Sequence, residues 1–137
     1  MKKSFSIIAI VMMSSALLLS ACSGGRPSES ANVPAEYAGK TNPLGADAAD
    51  AGKSVYEVQC SSCHGDGGKG DGPAGQALTP PAANLVESAS NNGDDYIYYR
   101  IAEGGAMDPY NSSMPSFKNV LSEDEIWQVV AYINTLK

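Results

Sequence analysis

The sequence predicts an all-α domain of three helices joined by long loops, spanning residues 46–137 of the chain. Three observations carry this expectation. Ser122-Glu123-Asp124-Glu125 has the form of a capping box, and Ile126, Val129, Val130 and Ile133 follow it at helical spacing. Further upstream, Ala48 to Gln59 reads as a helix that places Gly52 and Tyr56, four residues apart, on one face. Between the two, the run from Gly65 to Pro73 holds too much glycine for either helix or strand.

The chain opens with Lys2 and Lys3 and then an apolar run from Phe5 to Leu19, the pattern of an export signal. The run is short and is interrupted by Ser14 and Ser15, which argues against a membrane span. It meets Leu19-Ser20-Ala21-Cys22, which resembles the lipobox of bacterial lipoproteins. That resemblance implies a signal peptide over residues 1–21 and lipid on Cys22. Several acyl chains give stable anchoring where one is marginal. An uncleaved signal anchor and ordinary secretory cleavage leaving a free Cys22 stay open, and every version places the domain outside the cytoplasm. The expected location is the periplasm or the outer face of the cytoplasmic membrane, with the outer membrane equally open. Residues 22–45 are rich in Ser, Gly, Pro and Ala without an apolar period, and read as a flexible tether. Twenty-odd such residues span roughly 25–30 Å. Val33, Pro34, Tyr37 and Asn42-Pro43-Leu44 are the places where the tether could dock, but disorder is the expectation.

The first helix starts near Ala46 or Asp47, where the Asp can serve as cap. Gly52 inside a helix costs about 1 kcal/mol against alanine. A small residue beside an aromatic one is what a closely crossing helix requires; a merely tolerated glycine is the plainer alternative. The Gly-rich run after the first helix lacks the Lys-Ser or Lys-Thr of a phosphate cradle, and Thr79-Pro80-Pro81 continues it in extended form. A second helix is expected from Asp94 to Glu103, capped by Gly93 or Asp94 and ended by Gly104-Gly105. Tyr96, Ile97, Tyr99, Arg100 and Ile101 are too dense for one stripe, so this helix should touch core on more than one side. Glu87 to Gly93 has no assignment. The last helix begins at the capping box and adds Trp127 and Tyr132 beside its apolar stripe.

Cys60-Ser61-Ser62-Cys63-His64 carries the chemistry. In a C-x-x-C-H pentapeptide the two thiols can form thioethers to a single porphyrin while the adjacent imidazole reaches its iron. A thioredoxin-type redox pair belongs beside a βαβ pattern, and none is visible. Zinc would need four ligands, whereas the chain offers only one further cysteine, Cys22, and no second histidine. A structural disulfide would close too small a loop to stabilise much and would leave His64 unexplained.

From about Gly45 to the C-terminus the chain resembles the class I c-type cytochromes, in their bacterial monohaem lipoprotein form. The resemblance rests on Gly52 and Tyr56, Cys60 to Gly65, Gly68-Lys69-Gly70-Asp71-Gly72, Met114-Pro115 and Val129-Val130-Ala131-Tyr132. It implies a three-helix cytochrome c fold wrapped around one covalently bound haem c. It also implies that Gly52 and Tyr56 cross the last helix at Val129 and Tyr132. A proline carbonyl, of Pro80 or Pro81, would accept a hydrogen bond from His64 and fix its tautomer.

His64 is the only histidine, so a second ligand must be of another kind. Met1, Met12 and Met13 lie in the signal, leaving Met107 and Met114 as thioether candidates. Pro115 biases Met114 towards an extended backbone, Phe117 can seat in a pocket beside it, and Ser112, Ser113 and Ser116 can bond the loop to itself. Met107 follows Gly104-Gly105-Ala106 without such restraint, so Met114 is the expected ligand. Iron held by His and Met is coordinatively full, which points to one-electron transfer without a small-molecule substrate and without catalysis by the chain itself. Removal of Lys2 and Lys3 leaves seven basic residues against fifteen acidic, a net charge of −8. Such a balance argues against nucleic acid and for redox protein partners that are neutral or basic at the contact. A free carrier in a respiratory or photosynthetic chain and a permanent subunit of a membrane quinol-oxidising complex, similar to the monohaem subunits of alternative complex III, both fit. An enzyme or gas sensor with an open iron site is the third class.

Overall fold

The structure is a computed structural model and describes residues 33–45 and 47–137. The expected signal peptide, Cys22 and the tether up to residue 32 lie outside the described residues. Six helices and no strand occur among those described: α1 (Ala48–Gln59), α2 (Ser61–His64), α3 (Pro73–Gln76), α4 (Leu85–Asn91), α5 (Asp94–Glu103) and α6 (Glu123–Ile133). None is long and apolar enough to cross a membrane. The three expected helices are α1, α5 and α6, and the all-α architecture holds.

The α6 helix begins as its sequence dictates. Ser122 Oγ accepts the Glu125 amide at 3.3 Å while Glu125 Oε2 accepts the Ser122 amide at 2.8 Å. A cap contributes about 1 kcal/mol. Burying one Val or Ile contributes roughly 1.5–3 kcal/mol, and Ile126, Trp127, Val129, Val130 and Ile133 are all buried. Packing therefore holds α6, and the cap sets where it starts.

Packing is closest where α1 crosses α6. A Cβ on Gly52 would lie 1.9 Å from Gln128 O and 3.0 Å from the Val129 nitrogen, so only glycine permits this approach. One turn on, the rings of Tyr56 and Tyr132 meet with centroids 5.1 Å apart. The expected crossing is thus observed, with the Gln128–Val129 backbone as the surface that Gly52 touches. Asp47, by contrast, is not a side-chain cap. Its backbone is already helical (φ −65°, ψ −16°) and its carboxylate caps nothing, because the inward fold of a capping side chain needs an extended residue.

Three short helices were not expected: α2, the turn that follows α1, and two further on. Pro73 at the end of the Gly-rich run opens the single turn of α3. The unassigned stretch from Glu87 begins inside α4, whose extended N-cap Asn84 accepts from the amides of Val86 and Glu87 at 3.0 and 3.2 Å. It has no buried residue, so no apolar period announces it.

Residues 33–45 correct the expected tether: they lie on the domain. Val33, Tyr37 and Leu44 pack against the core. The Tyr37 ring sits 5.3 Å from that of Tyr99 and 6.0 Å from that of Tyr98, and Asn42 Nδ2 donates to Trp127 O at 2.9 Å. An aromatic ring carries enough apolar area to outweigh the local Gly/Pro/Ala composition. This strap completes the surroundings of α5, whose Tyr96, Ile97, Tyr98, Tyr99, Ile101 and Ala102 are all buried. The expected contact on several sides is met by α6, where Tyr98 and Trp127 lie 4.3 Å apart, by the strap, and by a cavity.

Candidate functional site

The cavity has a volume of about 460 Å³, within the range of cofactor sites. α1 ends at Gln59, and the α2 turn that follows carries Cys63 and His64, with Cys60 as its cap. All three of Cys60, Cys63 and His64 line the cavity. The turn is fixed from behind. Tyr56 Oη donates to Gly65 O at 2.6 Å, and a Cβ on Gly75 would lie 2.1 Å from Cys63 O, so the α3 backbone is packed directly on the turn. The glycines of this stretch thus serve close approach as well as turning.

His64 Nδ1 lies 2.9 Å from Ala83 O. A carbonyl only accepts, so Nδ1 carries the proton and Nε2 keeps its lone pair. The expectation of Pro80 or Pro81 as acceptor is therefore corrected to Ala83. Both prolines line the cavity, but the extended segment runs past them before its carbonyl meets the ring. Burial lowers the His64 pKa and outweighs the Ala83 bond, which acts to raise it, so the net effect favours the neutral imidazole. Burial, with Cys63 nearby, pushes the Cys60 thiol up to about 11. The two cysteines are not joined in a disulfide.

The segment from Gly105 to Phe117 reaches the same cavity from another part of the chain. Tyr110, Ser112, Ser113, Met114, Pro115 and Phe117 line it, whereas Met107 does not. The segment is stitched to the end of α5: Phe117 N–H donates to Ile101 O at 3.1 Å, and Ser116 Oγ to Ala102 O at 2.6 Å. Gly104 permits the reversal, with φ +77° and Met114 O only 2.7 Å from where a Cβ would stand.

Two polar groups in the cavity wall were missed by sequence reasoning. The Arg100 guanidinium lies 3.3 Å from the centroid of the Tyr110 ring, and Arg100 Nε and Tyr110 Oη are buried without a partner. The available signal was one cation inside the otherwise apolar and aromatic run of α5. A half-buried cation whose buried Nε lacks an acceptor, beside an orphaned hydroxyl, calls for an anionic or accepting group. Among the described residues no carboxylate lines the cavity, although the chain as a whole is acidic.

Residues 47–133 match the family described as cytochrome c oxidase, cbb3-type, subunit III. The chain belongs to this family of c-type cytochromes. It is 34% identical over 91 residues to cytochrome c-554(547) of Halothiobacillus neapolitanus, covering 65% of this chain and 97% of that protein. It is 36% identical over 85 residues to thiosulfate dehydrogenase of Stutzerimonas stutzeri (strain A1501), covering 61% of this chain and 26% of that enzyme. Among solved structures, it resembles a chain of the Kuenenia stuttgartiensis reducing HAO-like protein complex Kustc0457/Kustc0458. There the TM-score is 0.55 and the identity 26%, over 69% of this chain and 47% of that one. The chain thus spans about a quarter of the dehydrogenase and about half of the structural neighbour. The family transfers electrons, and membership implies covalently bound haem c. The residues fit such a group: an apolar cavity with a thiol pair, an imidazole, a thioether and a guanidinium whose buried Nε lacks an acceptor.

Proposed function

We propose that the protein is a one-electron carrier with a single haem c attached through Cys60 and Cys63, with His64 and Met114 as iron ligands, held outside the cytoplasm by lipid on Cys22. The observation that carries this reading is the convergence of Cys60, Cys63, His64 and Met114 on one cavity, with Met107 elsewhere. A haem c bound there supplies a ferric/ferrous couple for single-electron exchange. The chain's own residues then do four things. Ala83 O holds the His64 tautomer, leaving Nε2 as donor. The end of α5 holds the Met114 segment in place through backbone bonds. Arg100 Nε and Tyr110 Oη offer donors to the carboxylates of the cofactor. Exposed Pro80, Pro81, Pro109 and Pro115 form an uncharged rim on which a redox partner can dock with weak dependence on salt. With both His64 and Met114 engaged, no open position is left for a substrate.

The test is a redox titration of protein purified from membranes, with haem quantified per chain. One haem, a single-electron Nernst curve and no carbon monoxide binding by the native reduced protein are expected. Carbon monoxide binding would move the assignment to an open-site enzyme or sensor. For the anchor, mass spectrometry should find a mature chain starting at Cys22 with acyl mass added; a chain still starting at Met1 would contradict it.

A permanent subunit of a larger membrane oxidoreductase, such as a quinol-oxidising complex, is the second reading. It is favoured by the family description as an oxidase subunit and by the similarity to a chain of a protein complex. Purification in mild detergent separates the two, since a carrier comes off alone and a subunit stays in the assembly.

A further inference from the structure

The end of α5 is where three parts of the chain meet through a single side chain. Glu103, the last residue of α5, accepts both of its contacts from elsewhere. Lys118 Nζ donates to its two oxygens at 2.7 and 3.0 Å, and the Tyr37 hydroxyl donates to Glu103 Oε1. Lys118 closes the Met114 segment, and its own amide donates to Ala102 O at 3.1 Å. Tyr37 belongs to the strap, 66 residues away in sequence from Glu103. The other polar contacts of the strap go elsewhere: Gly39 N–H donates to Asp95 at the start of α5, and Asn42 reaches Trp127 O on α6.

We propose that Tyr37, Glu103 and Lys118 form a positioning cluster through which the N-terminal strap holds the Met114 segment against the cavity. The proposal rests on the reading of Met114 as an iron ligand. An isolated surface ion pair contributes little, because holding two long side chains in one geometry costs entropy. Here that cost is reduced. The Tyr37 ring is wedged against Tyr98 and Tyr99, so its hydroxyl presents the Glu103 carboxylate to Lys118 in one orientation. Lys118 and Tyr37 together also hold the carboxyl below its usual range, so Glu103 is charged at neutral pH. The backbone bonds from Phe117 and Lys118 to α5 define where the segment lies. The cluster opposes its lifting, because release of Lys118 must break a charged contact that the strap also holds.

The experiment measures imidazole binding to the ferric, haem-loaded full chain, since imidazole competes with a methionine ligand. Tyr37→Phe and Glu103→Ala should each raise the apparent imidazole affinity about five-fold or more, the lower end of measured coupling between sites. Ser122→Ala, which breaks the α6 capping box away from the cluster, should lower thermal stability and leave imidazole affinity unchanged. Unchanged affinity in the Tyr37 and Glu103 variants overturns the proposal. So does an equal rise in Ser122→Ala, which would make the effect general loosening. Met114→Ala should bind imidazole more tightly than any of these. If it binds as wild type does, the ligand assignment itself fails, and the positioning cluster fails with it.

Discussion

Cys60, Cys63 and His64 reach the cavity from five consecutive residues on one turn, which α1 delivers and the α3 backbone supports from behind. Met114 reaches it fifty residues later from a segment without helix, whose shape depends on the end of α5 and, through Glu103, on the strap. The first side is built by contacts local in sequence and by close backbone approach. The second is built by hydrogen bonds between segments far apart in the chain. The first side should therefore resist single substitutions outside its own residues and glycines, whereas the second should respond to changes at a distance.

The largest effect should come from the local side. Replacing Cys60 and Cys63 together by serine should abolish covalent haem, read as complete extraction of haem by acidified acetone. Haem that stays attached would mean that the pair is not its anchor. Next comes the support behind the turn. Gly75→Val would drive a side chain into Cys63 O, and Gly52→Val would drive one into Gln128 O, each costing about 1–3 kcal/mol or more of stability. In both variants haem should remain attached while denaturation midpoints fall; wild-type melting of Gly52→Val would remove the helix crossing as its cause.

Effects on the second side should be smaller and electronic. Arg100→Leu removes a half-buried cation from the cavity wall; its loss favours the ferric state and should lower the reduction potential. An unchanged or raised potential would show that this cation does not act on the redox centre. The smallest effect should be that of pH on Glu103. Its carboxyl titrates below the ordinary 4.5, so its stabilising contribution is complete above that value and is lost as pH falls through the lower folded value. The difference in melting temperature between wild type and Glu103→Gln should thus be constant near neutrality and shrink below pH 4.5.

The same contrast explains what could be read from the sequence. α6 was legible because its cap and apolar stripe are contiguous, and Cys60 to His64 because the pattern and the chemistry coincide. Gly52 was legible since a glycine four residues from a tyrosine in a helix has a packing meaning. Ala83 was not, because the identity of a carbonyl acceptor is set by the path of the backbone and by no side chain. The strap was not, because Tyr37 draws its burial from Tyr98 and Tyr99, some sixty residues away. α4 was hidden because it turns only the half-buried Leu85 and Ala89 to the core, leaving its Asn84 cap as the main signal. Arg100 and Tyr110 could be seen as out of place, but their stacking depends on the reversal at Gly104.

The central claim is that Met114, carried by the segment built from distant contacts, completes the site opened by His64. It is tested most directly by the near-infrared spectrum of the ferric protein in Met114→Ala and Met107→Ala. The band characteristic of methionine-ligated ferric haem should vanish in Met114→Ala, with a lower potential and new carbon monoxide binding on reduction, and should persist in Met107→Ala. A band that survives in Met114→Ala and vanishes in Met107→Ala would contradict the account, and a band unchanged in both would show that the second ligand is not a methionine.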